Sequence, residues 1–270
     1  MDNRPIGIFD SGVGGLTVVK QVISLMPQED IIYFGDTARL PYGTKPQETV
    51  RIFSEEITRF LIHHDVKTIL IACNTATAAS LPYLNEKYDV PIFGVIASGA
   101  EEAQKTTKNH RVGLIATEGT VRSGAYVRKL AQLDERITVT AQGCPLFVSM
   151  AEAGWVDNPA VEEAAKIYLK EIQAAGVDTL ILGCTHFPLL AKPISRVMGD
   201  GVTLVDPALA TAQKAKDYLK AHNALAVRET TGRRTFYVSA MTDDFSHLCQ
   251  IALGQSYKPE VADLSQFSQK

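Results

Sequence analysis

Cysteine is scarce in this chain, four among 270 residues, and no two of the four form a CxxC pair. That count and spacing exclude a disulfide framework and the usual zinc patterns, and suit thiols kept free in a reducing cytoplasm. Aromatic residues are few as well, 7% of the chain with a single tryptophan. No apolar run is long enough to predict a membrane span. Neither sign of charge dominates: 27 Lys and Arg against 30 Asp and Glu leave a formal net charge of -3, which argues against a general nucleic-acid binder. The first residues lack the basic region, apolar core and small-residue cleavage site of a secretory signal, so export by that route is not expected.

What the sequence does hold is an ordinary globular composition, 46% hydrophobic and 21% charged, in which short apolar runs alternate with helix-like periodicity. Strand patterns at 6–9, 31–34, 68–72, 92–95, 111–115, 138–141, 179–182, 203–205 and 235–239 interleave with helical patterns at 15–25, 47–63, 124–133, 159–175, 208–221 and 243–253. This βαβ rhythm predicts an α/β fold with parallel sheets. Asp157 and Asn158 before Pro159 mark a helix start.

Two distant stretches repeat one another. Ile69 to Thr75 and Leu180 to His186 are each an apolar run ending in a cysteine followed by small polar residues. A lone cysteine is most often a small hydrophobe of the core, and Cys144 and Cys249 are read that way. Packing does not require the same residue in the same local context at the ends of two strands, whereas a pseudo-symmetric active site does. A weaker echo joins Ile6 to Gly12 with Val112 to Gly119. Together they predict a duplicated unit: two similar parallel-sheet α/β domains related by pseudo-two-fold symmetry, with the active site in the cleft between them. The expected division is 1–97 and 98–207, with 208–270 returning to the first domain.

Open α/β sheets bind ligands at the carboxyl ends of their strands, so the candidate residues are sought there. Asp10-Ser11-Gly12-Val13-Gly14-Gly15 follows the first strand and opens a helix, where backbone amides can cradle an anion. A dinucleotide is one alternative, with Asp36 at about the right distance for a ribose contact. Against it stand Thr17, where that fingerprint wants glycine or alanine, and the charge of Asp10 beside a pyrophosphate. A carboxylate ligand suits the loop better. Tyr42 and Gly43 lie in a turn-like Pro-Tyr-Gly run and form a candidate pocket wall. Asn74 and Thr75, and Thr185 and His186, follow the two thiols at expected helix N-termini, whose positive ends favour a thiolate and a bound carboxylate. His186 is close enough in sequence to Cys184 to take a thiol proton and return it. Glu152 reads as a solvated helix residue to which spacing gives no privilege. Inverting a stereocentre by proton transfer needs one group to remove hydrogen from one face and another to deliver it to the opposite face; two thiols from two halves meet that need.

Four motifs in order, Asp10 to Thr17, Gly35-Asp36 with Pro41-Tyr42-Gly43, Ala72-Cys73-Asn74-Thr75-Ala76, and Gly183-Cys184-Thr185-His186-Phe187-Pro188-Leu189, together resemble the glutamate racemases of the aspartate/glutamate racemase family. The resemblance implies interconversion of L- and D-glutamate without cofactor or metal, Cys73 and Cys184 alternating as acid and base. It also implies that Asp10 near Cys73, His186 near Cys184, and Glu152 assist. Substrate-binding residues would be Asp10, Ser11, Tyr42, Gly43, Asn74, Thr75, Thr117, Thr120, Thr185 and His186. By the same resemblance the enzyme is a cytoplasmic homodimer that supplies D-glutamate for peptidoglycan, with neither nucleic acid nor membrane as partner. Competing readings are a racemase for aspartate or another amino acid, an NAD-dependent oxidoreductase, and a non-catalytic module that has kept a glutamate pocket.

Overall fold

The alternation of short apolar runs with amphipathic segments resolves into two parallel sheets in the computed structural model, which describes residues 1–242 and 245–268. The first repeat runs β1 (Ile6–Asp10), α1 (Leu16–Leu25), β2 (Ile31–Gly35), α2 (Gln47–His63), β3 (Thr68–Ile71), α3 (Asn74–Lys87), β4 (Ile92–Gly94) and α4 (Val95–Thr106). The second runs β5 (Arg111–Ala116), α5 (Glu118–Ser123), α6 (Ala125–Leu133), β6 (Thr138–Gly143), α7 (Pro145–Glu152), α8 (Pro159–Tyr168), α9 (Lys170–Ala174), β7 (Thr179–Gly183), α10 (Ala191–Met198), β8 (Thr203–Val205) and α11 (Pro207–Ala221). A last stretch adds β9 (Arg234–Val238), α12 (Phe245–Leu253) and β10 (Glu260–Val261).

Strand order is β10-β9-β2-β1-β3-β4 in one sheet and β6-β5-β7-β8 in the other. Without β9 and β10, both sheets read second, first, third, fourth. The strands that precede the two cysteine motifs, β3 and β7, therefore hold equivalent places beside β1 and β5. In register, Phe9 pairs with Ile71 and Ala116 with Gly183, which sets Cys73 and Cys184 just past the carboxyl edges of their sheets.

Both faces of each sheet are covered, which is why the strands are continuously apolar rather than alternating. Ile6, Ile8, Tyr33 and Leu70 pack with α1, α11 and α12; Phe9, Phe34, Ile69 and Ile71 face α2 and α3. In the second sheet Leu180 and Leu182 pack with α7 to α10, while Leu114 and Ile181 lie with α4 and α6. The two covering helices at the junction are exchanged. Helix α4 follows β4 of the first sheet but packs Ile96, Ala100 and Ala103 into the second core; α11 follows β8 of the second but packs Ala208, Ala212, Ala215 and Leu219 into the first. The chain so passes between the lobes through two helices in contact with each other.

Local departures from expectation have local causes. Asn158 caps α8, its Oδ1 accepting from Ala160 N–H at 2.9 Å, but the run expected as one helix to 175 is interrupted at Leu169, with φ -89° and ψ -2°. Leu169 N–H still donates to Ala165 O, and Gln173 N–H to Leu169 O, so the run is distorted rather than ended. The helix expected immediately after Cys184 is displaced. Phe187–Leu190 form a 3-10 turn closed by Phe187 N–H to Cys184 O and Leu189 N–H to His186 O, and α10 starts only at Ala191. Pro188 and Pro193, which lack the N–H donor, favour that tight entry. Of the helix expected over 243–253, Phe245–Leu253 is present, and 243 and 244 lie outside the described residues. Among the described residues no helix is long and apolar enough to cross a membrane.

Candidate active site

A cavity of about 550 Å³ opens between the lobes. Ser11, Tyr42, Gly43, Cys73, Asn74 and Thr75 line it from the first lobe, and Thr117, Glu152, Cys184, Thr185 and His186 from the second. Two of the residues singled out by sequence, Asp10 and Thr120, are buried and lie behind the wall rather than on it.

Cys73 ends the loop after β3 and is the N-cap of α3, its sulfur accepting from Ala76 N–H at 3.4 Å and donating to Ser11 Oγ at 3.6 Å. A helix amide favours a thiolate, yet burial is the larger influence. Together with the nearby Asp10 charge it pushes the Cys73 thiol up to about 12. Asp10 ends β1 and is fully enclosed; burial raises its carboxyl above the usual range, opposed by His186 and by the loop amides of Gly15, Gly12 and Ser11. The Gly12 N–H, expected to be free for a ligand carboxylate, donates to Asp10 Oδ2 at 3.1 Å. The loop's own side chain takes up part of the anion-binding capacity of this helix start.

Cys184 follows β7 and lies 3.7 Å from His186 Nδ1. On the other side of the ring, His186 Nε2 is 3.0 Å from Glu152 Oε1, at the end of α7. Burial opposes a charge on this imidazole, but its hydrogen bonds to Cys184 and Glu152 overcome that and push it up to about 10. The two thiols thus have different neighbours: a carboxylate behind Cys73, an imidazolium-carboxylate pair beside Cys184.

Contacts across the cleft fix the lobes against each other. Thr75 Oγ1 lies 3.0 Å from Thr117 Oγ1 and 3.2 Å from Thr120 Oγ1. Thr185 Oγ1 donates to Asp10 Oδ1 at 3.4 Å, and Thr17 Oγ1 donates to Thr185 O at 3.2 Å. A Cβ at Gly14 would stand 2.5 Å from Thr185 Oγ1 and 2.6 Å from His186 Nδ1, so any side chain here would displace Thr185 or His186 where the loop meets the second lobe. At Gly119 a Cβ would stand 2.6 Å from Gly43 O, a second backbone approach between the lobes.

Tyr42 is buried, and its hydroxyl donates to Asp36 Oδ2, which also accepts from Arg39 Nε at 2.7 Å. Asp36 is therefore an internal partner of Tyr42 and Arg39, enclosed and not placed to meet a ribose. Sequence reasoning did not single out Leu40, Thr44, Glu118, Pro145, Val148 and Ser149, which also line the cavity. Pro145 at the first turn of α7 is a start signal that could have revealed this wall; for the others no sequence signal exists. No Lys or Arg lines the cavity among the described residues. A bound carboxylate would be held by N–H and O–H donors, and the groups able to move a proton within the cleft are the two thiols, His186 and the carboxyl groups of Glu118 and Glu152. No cluster of three or more His, Cys, Asp or Glu among the described residues is arranged to hold a metal ion.

Residues 15–215 match the Asp/Glu/hydantoin racemase family. A glutamate racemase of Geobacter metallireducens is 47% identical over 251 residues, 93% of each chain, and one of Corynebacterium diphtheriae is 45% identical over 268 residues, 99% of each. The crystal structure of glutamate racemase from Francisella tularensis in complex with D-glutamate superposes with a TM-score of 0.92 at 38% identity, covering 98% of this chain and all of that one.

Proposed function

Because the chain belongs to the Asp/Glu/hydantoin racemase family, we propose that it interconverts L- and D-glutamate by passing a proton across the substrate between Cys73 and Cys184, without a cofactor. Glutamate as substrate is carried over from the activity of the similar proteins. The observation that carries the mechanism is the pair of thiols, one from each lobe, lining one cavity with different proton-holding neighbours.

In one direction a Cys184 thiolate, facing the His186 imidazolium, removes the α-hydrogen while the neutral Cys73 thiol delivers its proton to the opposite face. The reverse direction exchanges these roles, and each turnover leaves the protons on the other sulfur. The α-proton of an amino acid is very weakly acidic, so the base must be positioned and partly desolvated; both cysteines are buried. The carbanion-like transition state needs donors held in place beforehand. Ser11, Thr75 and Thr117 hydroxyls, the Asn74 amide and the backbone around Gly43 provide them, with Thr120 fixing Thr75 from behind. Asp10 acts on Cys73 and, through Thr185, on the second lobe; Glu152 keeps His186 charged. In the cell this activity would supply D-glutamate to peptidoglycan, with the protein acting as a cytoplasmic homodimer.

Purified protein with no added cofactor or metal is expected to destroy the optical rotation of both glutamate enantiomers, and deuterium from solvent to enter the α-carbon. Racemisation of aspartate or alanine in place of glutamate, or dependence on a nicotinamide cofactor, would overturn the reading.

A further inference from the structure

Asn74 is the first residue of α3, adjacent to Cys73, buried, and part of the cavity wall. Its amide does not face the cleft unattended. Tyr126, buried on α6 of the other lobe, places its hydroxyl 2.8 Å from Asn74 Oδ1. Burial raises the Tyr126 hydroxyl far above its usual range, so it stays protonated and donates, and the amide oxygen accepts. A planar carboxamide whose oxygen is engaged turns its NH2 group away from the tyrosine.

Asn74 has another direction in which to turn. It also borders a small internal space of about 10 Å³ lined by Thr17, Cys184, Thr185 and Asp206 among others. Without Tyr126 to hold its oxygen, the amide could flip and present an acceptor where an anionic substrate needs a donor.

We propose that Tyr126 is a positioning residue, holding Asn74 so that Nδ2 donates to a carboxylate of the substrate. The inference rests on the racemase reading and adds a specificity element to it. A site lined by neither Lys nor Arg among the described residues recognises a dicarboxylate through aimed N–H and O–H donors, and this one is aimed from the opposite lobe. An amide fixed in this sense rewards a carboxylate and penalises a group that can only donate.

The test is a double-mutant cycle on racemisation kinetics, run with whichever amino acid the wild-type enzyme turns over. Tyr126→Phe keeps the ring and removes the hydrogen bond; it is expected to raise KM roughly 5- to 30-fold with a smaller effect on kcat. In an Asn74→Ala background the same substitution should change KM by less than about 2-fold, because nothing remains to be aimed. A merely structural tyrosine would lower the melting temperature and act equally in both backgrounds; that result, or an unchanged KM in Tyr126→Phe, overturns the proposal. If Tyr126→Phe fails to fold, Asn74→Asp keeps an acceptor for Tyr126 but puts a charge in place of the donor. It should weaken binding by more than about 30-fold, and wild-type affinity there also overturns the proposal. Turnover of an amino acid other than glutamate refutes the substrate assignment alone; a wild-type protein that racemises none refutes the functional reading and Tyr126's role with it.

Discussion

Replacing Glu152 by glutamine isolates the electrostatic support of His186 from its geometry. Glutamine keeps the chain length and an oxygen to meet His186 Nε2, now 3.0 Å from Glu152 Oε1, and loses only the charge. Two unit charges about 4 Å apart interact by about 4 kcal/mol at an effective dielectric of about 20. The Glu152 side chain is 32% exposed at the cleft, and solvent screening reduces the figure to about 1–2 kcal/mol. At 1.36 kcal/mol per pKa unit, that is a fall of about one unit. The sign follows from the direction of the shift: His186 is raised, to about 10, so its charge is present below that pH and lost as pH rises through it. Glu152→Gln should move this loss down to about 9. Initial rates in both directions from about pH 7 to about pH 11 will show it as an alkaline limb displaced to lower pH, most strongly in the direction where Cys184 is the base. An unmoved limb, or one displaced upward, refutes the assignment of Glu152 as the group that keeps His186 charged.

Gly14→Ala should reduce kcat/KM by roughly 10²-fold while the melting temperature stays close to wild type, because the added methyl displaces Thr185 or His186 and little else; wild-type activity would show that the close approach is dispensable. Asp10→Asn and His186→Asn should slow the two directions unequally and with opposite bias, as each serves a different thiol; equal losses in steady-state rates contradict that division. Glu29→Ala removes the counter-charge of Lys67, whose side chain is 1% exposed and whose ammonium lies 2.5 Å from Glu29 Oε2, and leaves it the carbonyls of Asp2 and Ala224. Urea unfolding should register a loss of about 3–5 kcal/mol, and a loss below about 1 kcal/mol would mean the pair is not the buried anchor of the segment at Ala226, whose N–H Glu29 also accepts.

The parts of the molecule that were legible in the sequence are those whose chemistry is local. Continuous apolar strands such as Ile69 to Ile71 and Thr179 to Leu182, each followed by cysteine, announced a buried parallel sheet edge in both halves because periodicity and the thiol lie side by side. What was hidden depends on contacts between distant segments. Nothing about Glu152 in sequence distinguishes it from a solvated helix residue; it matters only because α7 ends beside His186. Tyr126 is one aromatic of a short helix until α6 is brought against α3. The anion-binding loop was read from its glycines, but it was the folded loop that showed Gly12 N–H turned onto Asp10. Likewise the 3-10 turn after Cys184 reflects two prolines and i to i+3 bonding, which a strand-to-helix pattern does not separate from an ordinary helix start.

The central claim is that each thiol serves one face of the substrate. It is tested most directly by following exchange of the α-hydrogen with D2O in Cys73→Ser and Cys184→Ser, starting from each pure enantiomer of glutamate. Serine is far less acidic than a thiol, so neither variant should racemise, and each should exchange the α-hydrogen of one enantiomer only, the two variants choosing opposite ones. A single-serine variant that still racemises at most of the wild-type rate, or two variants that exchange the same enantiomer, would contradict it.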